Sequence, residues 1–280
     1  MLHKSMKDEI RTEEQLRKDY EIEKELASRL RNASRQERGF LYASLYNEMY
    51  ERTPLHPQLI RKSSPELIAG SVSTQMMFLN RFLSKHATFL EVGAGDCELS
   101  IEVAKRVRQV SAIDVSTEIA KGLTLPHNVD LVISDGSSIP VPPNSISVAY
   151  SNQLMEHLHP DDAFEQPQNI YRSLIPGGLY ICITPNRLSG PHDISKYFDR
   201  VATGFHLKEY TTSELAMLFQ TVGFSSSDAY VGAKGMYIGF PHAFGRLFKT
   251  WLDRLPFSSR SQIARSPLRV LLGIKLVGMK

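Results

Sequence analysis

Cysteine is scarce in this sequence, with only Cys97 and Cys182 among 280 residues. Two cysteines exclude a disulfide framework and a zinc site built on thiolates, and they fit the reducing cytoplasm. Long apolar runs are also absent, because no stretch reaches the roughly 18 apolar residues that span a bilayer. The N-terminus lacks the apolar core of a secretory signal. We therefore expect a cytoplasmic protein that meets a membrane, if at all, only at its surface.

Acidic residues are nearly missing from the C-terminal segment. Residues 241–280 hold eight lysines and arginines against one acidic residue, a net +7, so the first 240 residues carry −4 of the chain's total of +3. Within 244–255 apolar residues recur at helical spacing beside basic ones. We predict a basic amphipathic tail over 241–280, which lies on an anionic membrane surface or packs against its own domain or a second copy in a homodimer. The acidic body argues against nucleic acid as a partner.

The chain divides into three predicted parts, of which the tail is the last. Residues 1–70 form an N-terminal helical extension, with a largely exposed charged helix followed by an aromatic one. Residues 71–240 form the main domain, where short apolar runs alternate with helical patterns and indicate a parallel sheet covered on both faces. The predicted strands are Thr88–Val92, Val110–Asp114, Val129–Ile133, Ile146–Tyr150 and Leu179–Thr184, then an antiparallel terminal hairpin of Ser225–Val231 and Gly235–Gly239.

The first strand runs into a Gly-x-Gly turn at Gly93 and Gly95 and then into a helix. Glycines allow a tight turn and a close approach to a ligand, beside the free N–H groups of a helix N-terminus. Glu98 replaces the third glycine of the dinucleotide fingerprint, which argues against the pyrophosphate of NAD. Glu91 ends the same strand and is expected to face a cationic group of the ligand, because a buried carboxylate needs a partner. The alternative is an acid solvated at the rim of the sheet.

Two further acids follow the next two strands. Asp114 stands 21 residues after Gly93, close to the spacing at which an acid reaches ribose hydroxyls, although it can also cap a helix that starts near Ser116. Asp135 can accept a hydrogen bond from an adenine amino group, and Gly136 beside it permits close approach. Acids at three successive strand ends line the edge where open α/β sheets bind ligands.

These residues resemble the class I S-adenosylmethionine-dependent methyltransferase family, in its small-molecule, methyltransferase-11-like branch. The segment Leu90–Gly95 matches the first motif of that family, and Asp114 and Asp135 match its next two acidic positions. Leu174–Leu179 matches the turn into the fifth strand. The similarity extends over about residues 86–224.

The resemblance implies an α/β fold with a Rossmann-like, doubly wound, seven-stranded and mostly parallel sheet, to which the N-terminal helices are accessory. It implies S-adenosylmethionine as cofactor, S-adenosylhomocysteine as product, and methylation of a small-molecule, glycan or lipid-linked acceptor on oxygen or nitrogen. Many members carry aspartate where this chain has Ser147, so no role is predicted there. The cofactor residues that the resemblance implies are Glu91, Gly93, Ala94, Gly95, Asp114, Val115, Ser134, Asp135, Gly136, Asn152 and Gln153.

Three histidines are candidates for the catalytic base. Methyl transfer from a sulfonium requires alignment of the nucleophile and, for a hydroxyl or an amine, a proton acceptor, which histidine provides near neutral pH. His157 follows the fourth strand, and His192 and His206 lie in the polar segment after the fifth. A carboxylate partner such as Asp193 or Glu209 would strengthen this role. Packing, capping or solvation is the alternative for each histidine.

No metal site is predicted from the sequence. His157 and His159 stand near Asp161 and Asp162, but two histidines one residue apart hold one ion together well only on a strand. Two other functions stay open. A non-catalytic regulatory protein that binds S-adenosylmethionine or a nucleotide would show no turnover, and a nucleotide-dependent oxidoreductase, which Glu98 argues against, would bind NAD.

Overall fold

The structure is a computed structural model that describes residues 9–116, 124–233, 235–241 and 272–280, with residues 254–256, 259, 262, 263 and 266 between them. Four helices precede the first strand: α1 (Glu13–Asn32), α2 (Arg35–Arg52), α3 (Pro57–Lys62) and α4 (Pro65–Leu79). Thr12 and Ser34 each begin a helix with a capping box, in which Gln15 and Glu37 reach back to the cap. Local sequence therefore sets the starts of α1 and α2.

Eight strands form a single sheet. They are β1 (Thr88–Val92), β2 (Gln109–Asp114), β3 (Val129–Ile133), β4 (Ile146–Asn152), β5 (Leu174–Thr184), β6 (Ser226–Ala233), β7 (Met236–Pro241) and β8 (Ile274–Met279). Their order across the sheet is β3-β2-β1-β4-β5-β8-β6-β7. The first five pair in parallel, whereas β8 is antiparallel to β5 and β6, and β6 to β7. The Rossmann-like α/β fold with a terminal antiparallel hairpin is therefore confirmed.

The strand count of seven was wrong, because β8 comes from the segment predicted as tail. The six residues Ile274–Met279 are inserted between β5 and β6, and Ile274, Leu276 and Val277 are buried. A short run of Ile, Leu and Val fits a strand buried on both faces, and basic neighbours obscured it in the sequence. Residues 274–279 thus pack against their own domain. Residues 242–253, which contain most of the predicted amphipathic helix, lie outside the described residues.

The N-terminal helices share a core with the sheet. Helix α1 is not the largely exposed helix expected from its charge, because Leu26 and Leu30 are fully buried. They lie in one apolar cluster with Leu45 of α2 and Leu90 of β1. Helix α4 runs across the predicted domain boundary at residue 70. The N-terminal extension is therefore continuous with the main domain. The loosely spaced apolar residues of α1 are enough for this packing, because one of them lies on the side facing the sheet at each turn of the helix.

Three further helices, α5 (Glu98–Ala104), α6 (Asp162–Ser173) and α7 (Thr212–Val222), follow β1, β4 and β5. Successive residues of β1, Phe89 and Leu90, belong to different apolar clusters, as expected when side chains alternate between the two faces of a sheet. Apolar residues therefore cover the sheet on both sides. In the part of the chain that the structure describes, none of the helices has the length and apolar character needed to cross a bilayer.

Candidate functional site

The glycine turn after β1 is held against the end of β2. The N–H groups of Gly93 and Ala94 both donate to the carbonyl of Ile113, at 2.8 and 3.0 Å. Gly93 and Gly95 have φ angles of +77° and +53°, in the left-handed region that glycine adopts without a steric penalty. The backbone therefore curls past the carboxyl ends of two neighbouring strands before α5 begins.

Asp114 fastens this turn from the end of β2. Its Oδ2 accepts a hydrogen bond from the Gly95 N–H at 2.8 Å, and its Oδ1 accepts from the N–H groups of Val115 and Ser116 at 2.8 and 3.2 Å. Oδ2, which accepts only one of these hydrogen bonds, has capacity for a further donor, so contact with a ribose hydroxyl stays a prediction. The helix that Asp114 was predicted to cap falls on residues 117–123, which lie outside the described residues.

Glu91 is buried at the carboxyl end of β1. Its Oε2 accepts a hydrogen bond from Ser100 Oγ at 2.5 Å. Burial raises the pKa of Glu91 to about 8, and the charges of Asp96 and Asp114 act in the same direction, against the hydrogen bond from Ser100. A cation beside this carboxyl would favour its charged form, which is consistent with the predicted role.

Asp135 has partners that differ from the predicted adenine. Its Oδ1 accepts from the N–H groups of Ser137 and Ser138, and its Oδ2 accepts from Arg35 of α2 at 3.2 Å. Burial alone would raise the pKa of Asp135, but these hydrogen bonds outweigh it and lower the pKa to about 2. Its carboxylate orders the turn around Gly136 and is absent from the cavity wall described below. The contact of Asp135 with adenine stays a prediction.

The end of β4 is tied to α4 through a glutamine that sequence reasoning missed. Gln75 Oε1 accepts hydrogen bonds from Asn152 Nδ2 at 3.1 Å and from Tyr150 Oη at 2.8 Å. Gln153 has a φ of +55° and donates its N–H to the carbonyl of Ile183 at 2.8 Å. The available signal was a lone glutamine in the apolar segment before β1.

One cavity of about 880 Å³ joins the predicted site residues. Its volume lies in the upper part of the range typical of ligand pockets. The three predicted histidines line it, and so does every predicted cofactor residue except Asp135: Glu91, Gly93, Ala94, Gly95, Asp114, Val115, Ser134, Gly136, Asn152 and Gln153. The fold thus brings the predicted cofactor and catalytic residues to one site.

His157 and His206 face each other in this cavity. Their ring centroids lie 4.8 Å apart and their planes are nearly perpendicular. His157 Nδ1 lies 3.0 Å from the carbonyl oxygen of Phe205. Burial lowers the pKa of His157 to about 3, and the charge of His206 adds to the effect. The ring of His157 is therefore neutral near pH 7.

His206 has the carboxylate partner considered from the sequence. Its Nδ1 lies 2.8 Å from Glu209 Oε1, and Oε1 also accepts the His192 N–H at 2.7 Å. Burial alone would lower the pKa of His206, but the hydrogen bond to Glu209 and the charges of Glu156 and Asp193 outweigh it and raise the pKa. This bond fixes the orientation of the ring.

Glu156 is a buried acid in the cavity wall that sequence reasoning overlooked. Its side chain is wholly buried, and its Oε2 accepts from Thr184 Oγ1 at 2.9 Å. Its Oε1 has no hydrogen-bond partner among the described residues. Burial raises the pKa of Glu156 to about 7. The sequence signal was an acid directly before His157 in the loop after a parallel strand.

His192 is linked to His206 through its backbone N–H, which donates to the Glu209 oxygen that lies beside His206. Its side chain is exposed, and its Nε2 lies 3.0 Å from Ser189 Oγ and 3.1 Å from the carbonyl oxygen of Asn186. The ring therefore contacts its own loop, although it also borders the cavity.

The N-terminal helices supply aromatic and basic parts of the cavity wall. Tyr46 and Tyr50 of α2 line it together with Arg61 and Lys62 of α3. The Tyr46 ring packs against His157, with centroids 5.8 Å apart. These residues were not predicted, because only the fold brings α2 and α3 to the strand ends.

Known proteins share the central part of this chain. A family model described as "Methyltransferase domain" matches residues 90–182. A Mycolicibacterium smegmatis protein named "Probable S-adenosylmethionine-dependent methyltransferase" is 31% identical over 142 residues, which cover 50% of this chain and 52% of that protein. Carboxy-S-adenosyl-L-methionine synthase of Vibrio campbellii is 25% identical over 136 residues, or 45% of this chain and 54% of the synthase. The chain thus spans about half the length of the curated relatives it matches.

Solved structures agree at the level of the fold. The crystal structure of a "SAM dependent methyltransferase" from Archaeoglobus fulgidus superimposes with a TM-score of 0.51 and 15% identity, covering 80% of this chain and 100% of that one. At this identity the likeness extends to the fold alone.

Proposed function

We propose that this chain transfers a methyl group from S-adenosylmethionine to an acceptor bound in the same cavity. The similarity of residues 90–182 to a methyltransferase domain, and of half the chain to a relative named as a probable S-adenosylmethionine-dependent methyltransferase, supports this proposal. The observation that carries the proposal is that the glycine turn, Asp114 and the His157–His206 pair line one cavity. The acceptor we propose is a small molecule, a glycan or a lipid-linked compound with a hydroxyl or amine nucleophile.

The cofactor half of the cavity is built at the ends of β1 to β4. We assign the backbone of Gly93–Gly95 to close approach, Asp114 to the ribose hydroxyls and Glu91 to the amino group of the methionine moiety. Ser134 and Gly136 border the adenine end, with Asp135 holding their turn in place. A carboxyl as deeply buried as Glu91 becomes more stable when a cation stands beside it.

The acceptor half contains the histidine pair. Bound S-adenosylmethionine supplies an electrophilic methyl group on a sulfonium, so this chain's residues need only hold the nucleophile in line and receive its proton. Glu209 holds His206 through Nδ1, which makes Nε2 the nitrogen that accepts a proton. We assign His206 as the first proton acceptor, His157 as its neutral neighbour, and His192 to the rim of the cavity.

The first test is calorimetric titration of the chain with S-adenosylmethionine, S-adenosylhomocysteine and NAD in parallel. Micromolar binding of the first two without NAD supports the proposed cofactor site. Binding of NAD alone, or of none of the three, refutes it. Release of S-adenosylhomocysteine in the presence of candidate acceptors then measures turnover, and its absence with every acceptor favours the non-catalytic alternative. Mass spectrometry distinguishes S-adenosylhomocysteine, the product of methyl transfer, from carboxy-S-adenosyl-L-methionine. The name of the Vibrio relative indicates the second product for that protein.

A variant pair tests the histidine. We expect His206→Asn to lower turnover about 10²- to 10⁴-fold, as for the loss of a general base, with the affinity for S-adenosylhomocysteine unchanged. The matched control is His159→Asn, because His159 is not among the residues that line the cavity and its ring lies 3.4 Å from Asp161. Wild-type turnover in His206→Asn would remove the proposed role.

A further inference from the structure

Three side chains with metal-binding atoms converge beside the cofactor half of the cavity. Glu156, His157 and His206 each offer one ligand atom, and these atoms all lie within 4.8 Å of one another. Glu156 and His157 belong to a short 3₁₀ turn after β4, whereas His206 comes from the segment before α7. All three line the cavity. The fold, rather than local sequence spacing, therefore assembles the group.

The two histidine rings are oriented as metal-binding histidines usually are. His157 Nδ1 lies 3.0 Å from the carbonyl oxygen of Phe205, and His206 Nδ1 lies 2.8 Å from Glu209 Oε1. A ligating histidine commonly donates its second N–H to a backbone carbonyl or a carboxylate, which fixes the tautomer and makes the free nitrogen more basic. In both rings this leaves Nε2 as the ligand atom, and His157 Nε2 lies 4.0 Å from Glu156 Oε1.

The carboxylate oxygen nearest His157 has no hydrogen-bond partner among the described residues. Glu156 Oε1 is fully buried and accepts no hydrogen bond from any described residue, whereas Oε2 is held by Thr184. A buried polar atom without a hydrogen-bond partner destabilises the protein, and more so when the atom is charged. A cation bound at this oxygen would remove that cost.

We propose that Glu156, His157 and His206 bind a divalent transition-metal ion. Two imidazoles and one carboxylate are a borderline ligand set that holds Zn²⁺ and its first-row neighbours and leaves positions open for a further ligand. Bonds of about 2.0–2.2 Å require the ligand atoms to draw closer together than they lie in the structure. Side-chain rotation provides this movement, with Glu209 and the Phe205 carbonyl as outer supports.

The site would change how the acceptor is activated. A hydroxyl bound at an open position of the ion loses its proton more readily, as a metal-bound water does. The proton would pass to solvent water. In the proposed methyl transfer, on which this step rests, the negative oxygen would attack the methyl group and form the O–C bond as the C–S bond of the sulfonium breaks and S-adenosylhomocysteine leaves. A His206 Nε2 that binds the ion cannot also accept a proton, so the ion replaces His206 as the activating group. The inference departs from the sequence-based expectation of no metal, which weighed only the segment 157–162.

The test is metal binding by the full chain, purified without a histidine tag and stripped with a chelator. Calorimetry with ZnCl₂ and visible absorption with CoCl₂ report affinity and ligand geometry without any turnover. We expect one ion per chain and a loss of affinity of more than about 100-fold in Glu156→Gln and His206→Asn. In Glu209→Gln, which alters only the outer support, we expect about 10- to 100-fold. The control His159→Asn should bind as the wild type does.

Two further measurements distinguish loss of the metal site from loss of the fold or of the cofactor site. Thermal unfolding and S-adenosylhomocysteine binding of each variant show whether it folds and whether the cofactor half is intact, so failure of the metal site and failure of the proposed methyl transfer are seen separately. Absence of stoichiometric Zn²⁺ and Co²⁺ binding by the wild type overturns the inference. Equal affinity in the wild type and folded Glu156→Gln overturns it as well, since the ion would then lie elsewhere.

Discussion

Asp162 at the start of α6 is the residue whose loss should destabilise this fold most clearly. Its wholly buried carboxylate accepts two hydrogen bonds from Arg38, from Nε at 2.8 Å and from Nη2 at 2.7 Å, and a third from Tyr42 Oη at 2.6 Å. Arg38 is itself only 4% exposed in its side chain. The perturbation is Asp162→Asn, which keeps the shape and removes the charge.

The expected cost follows from what remains in the protein. Asparagine still presents one oxygen, but its amide N–H groups face the N–H groups of Arg38. The buried guanidinium then keeps only the exposed carboxylate of Asp161, 3.7 Å away, as a counter-charge. Removing one partner of a buried ion pair typically costs about 3–5 kcal/mol. Tyr42 Oη also accepts the His159 N–H at 2.9 Å, so the loop that follows His157 should loosen together with α2.

Urea denaturation at pH 7 measures the change, with Asp161→Asn as the matched control. Asp161 is adjacent to Asp162 and lies 3.7 Å from the same guanidinium, but its side chain is 74% exposed. We expect its substitution to cost less than about 1 kcal/mol, as for exposed ion pairs. Equal costs in the two variants would refute the reasoning, since burial is the difference between them.

The ion pair between Asp162 and Arg38 predicts that the stability of the protein depends on pH. Burial alone would raise the pKa of Asp162, but the hydrogen bonds from Arg38 and Tyr42 outweigh it and lower the pKa. A carboxyl whose pKa is lowered by folding stabilises the protein above its unfolded pKa, about 3.9, and loses that contribution as the pH falls through the folded pKa. The difference in the free energy of unfolding between the wild type and Asp162→Asn should therefore be largest near neutral pH and decrease below about pH 4. A constant difference down to acidic pH would contradict this.

Three other predictions address the cofactor half. Asp114→Asn should weaken S-adenosylhomocysteine binding by about 1–3 kcal/mol in calorimetry, whereas Asp130→Asn, exposed on β3 and bonded to Gln109, should leave it unchanged. Gly136→Ala should destabilise the fold by about 2–4 kcal/mol, because its φ is +96° and the added Cβ would lie 2.7 Å from the Tyr42 ring. The control Gly177→Ala should cost only about 1–2 kcal/mol, because its φ is +75° but the added Cβ would meet no atom within 4 Å. Because the pKa of Glu91 is raised to about 8, binding of S-adenosylmethionine at pH 7 should release a proton, seen as a dependence of the binding heat on the buffer. Glu91→Gln should release none, and equal release in both would remove Glu91 as the source.

The parts of the site that were predictable are those whose conformation is determined by residues close together in the sequence. The bounds of β1 and β3 agree with the prediction, and the turn at Gly93 and Gly95 follows from local backbone needs. The hydrogen bond from Arg35 to Asp135 was not predicted, because the two residues lie 100 positions apart in the chain. Strand β8 was missed for a related reason, since it is separated from β7 along the chain and is completed only by pairing with β5 and β6.

The N-terminal helices explain why the acceptor half was harder to predict than the cofactor half. Arg31 of α1 donates to the carbonyls of Thr203, Gly204 and His206, all at 3.2 Å, so α1 positions the segment that carries His206. The predicted cofactor residues lie in β1–β4 or in the turns that follow these strands. The segment that carries His206 instead depends on hydrogen bonds between residues about 170 positions apart in the chain.

The extent of the family match supports the same division. Residues 90–182 include every predicted cofactor residue together with Glu156 and His157, but exclude His206, Glu209 and the aromatic wall at Tyr46. In the proposed function the matched segment would bind the methyl donor, while His206, Glu209 and Tyr46 of the proposed acceptor half come from segments on either side of it. A search for the acceptor should accordingly start from the shape and charge of the wall formed by α2, α3 and the segment before α7. Exchanging that wall between relatives should change which acceptor is used and leave the affinity for the donor unaltered.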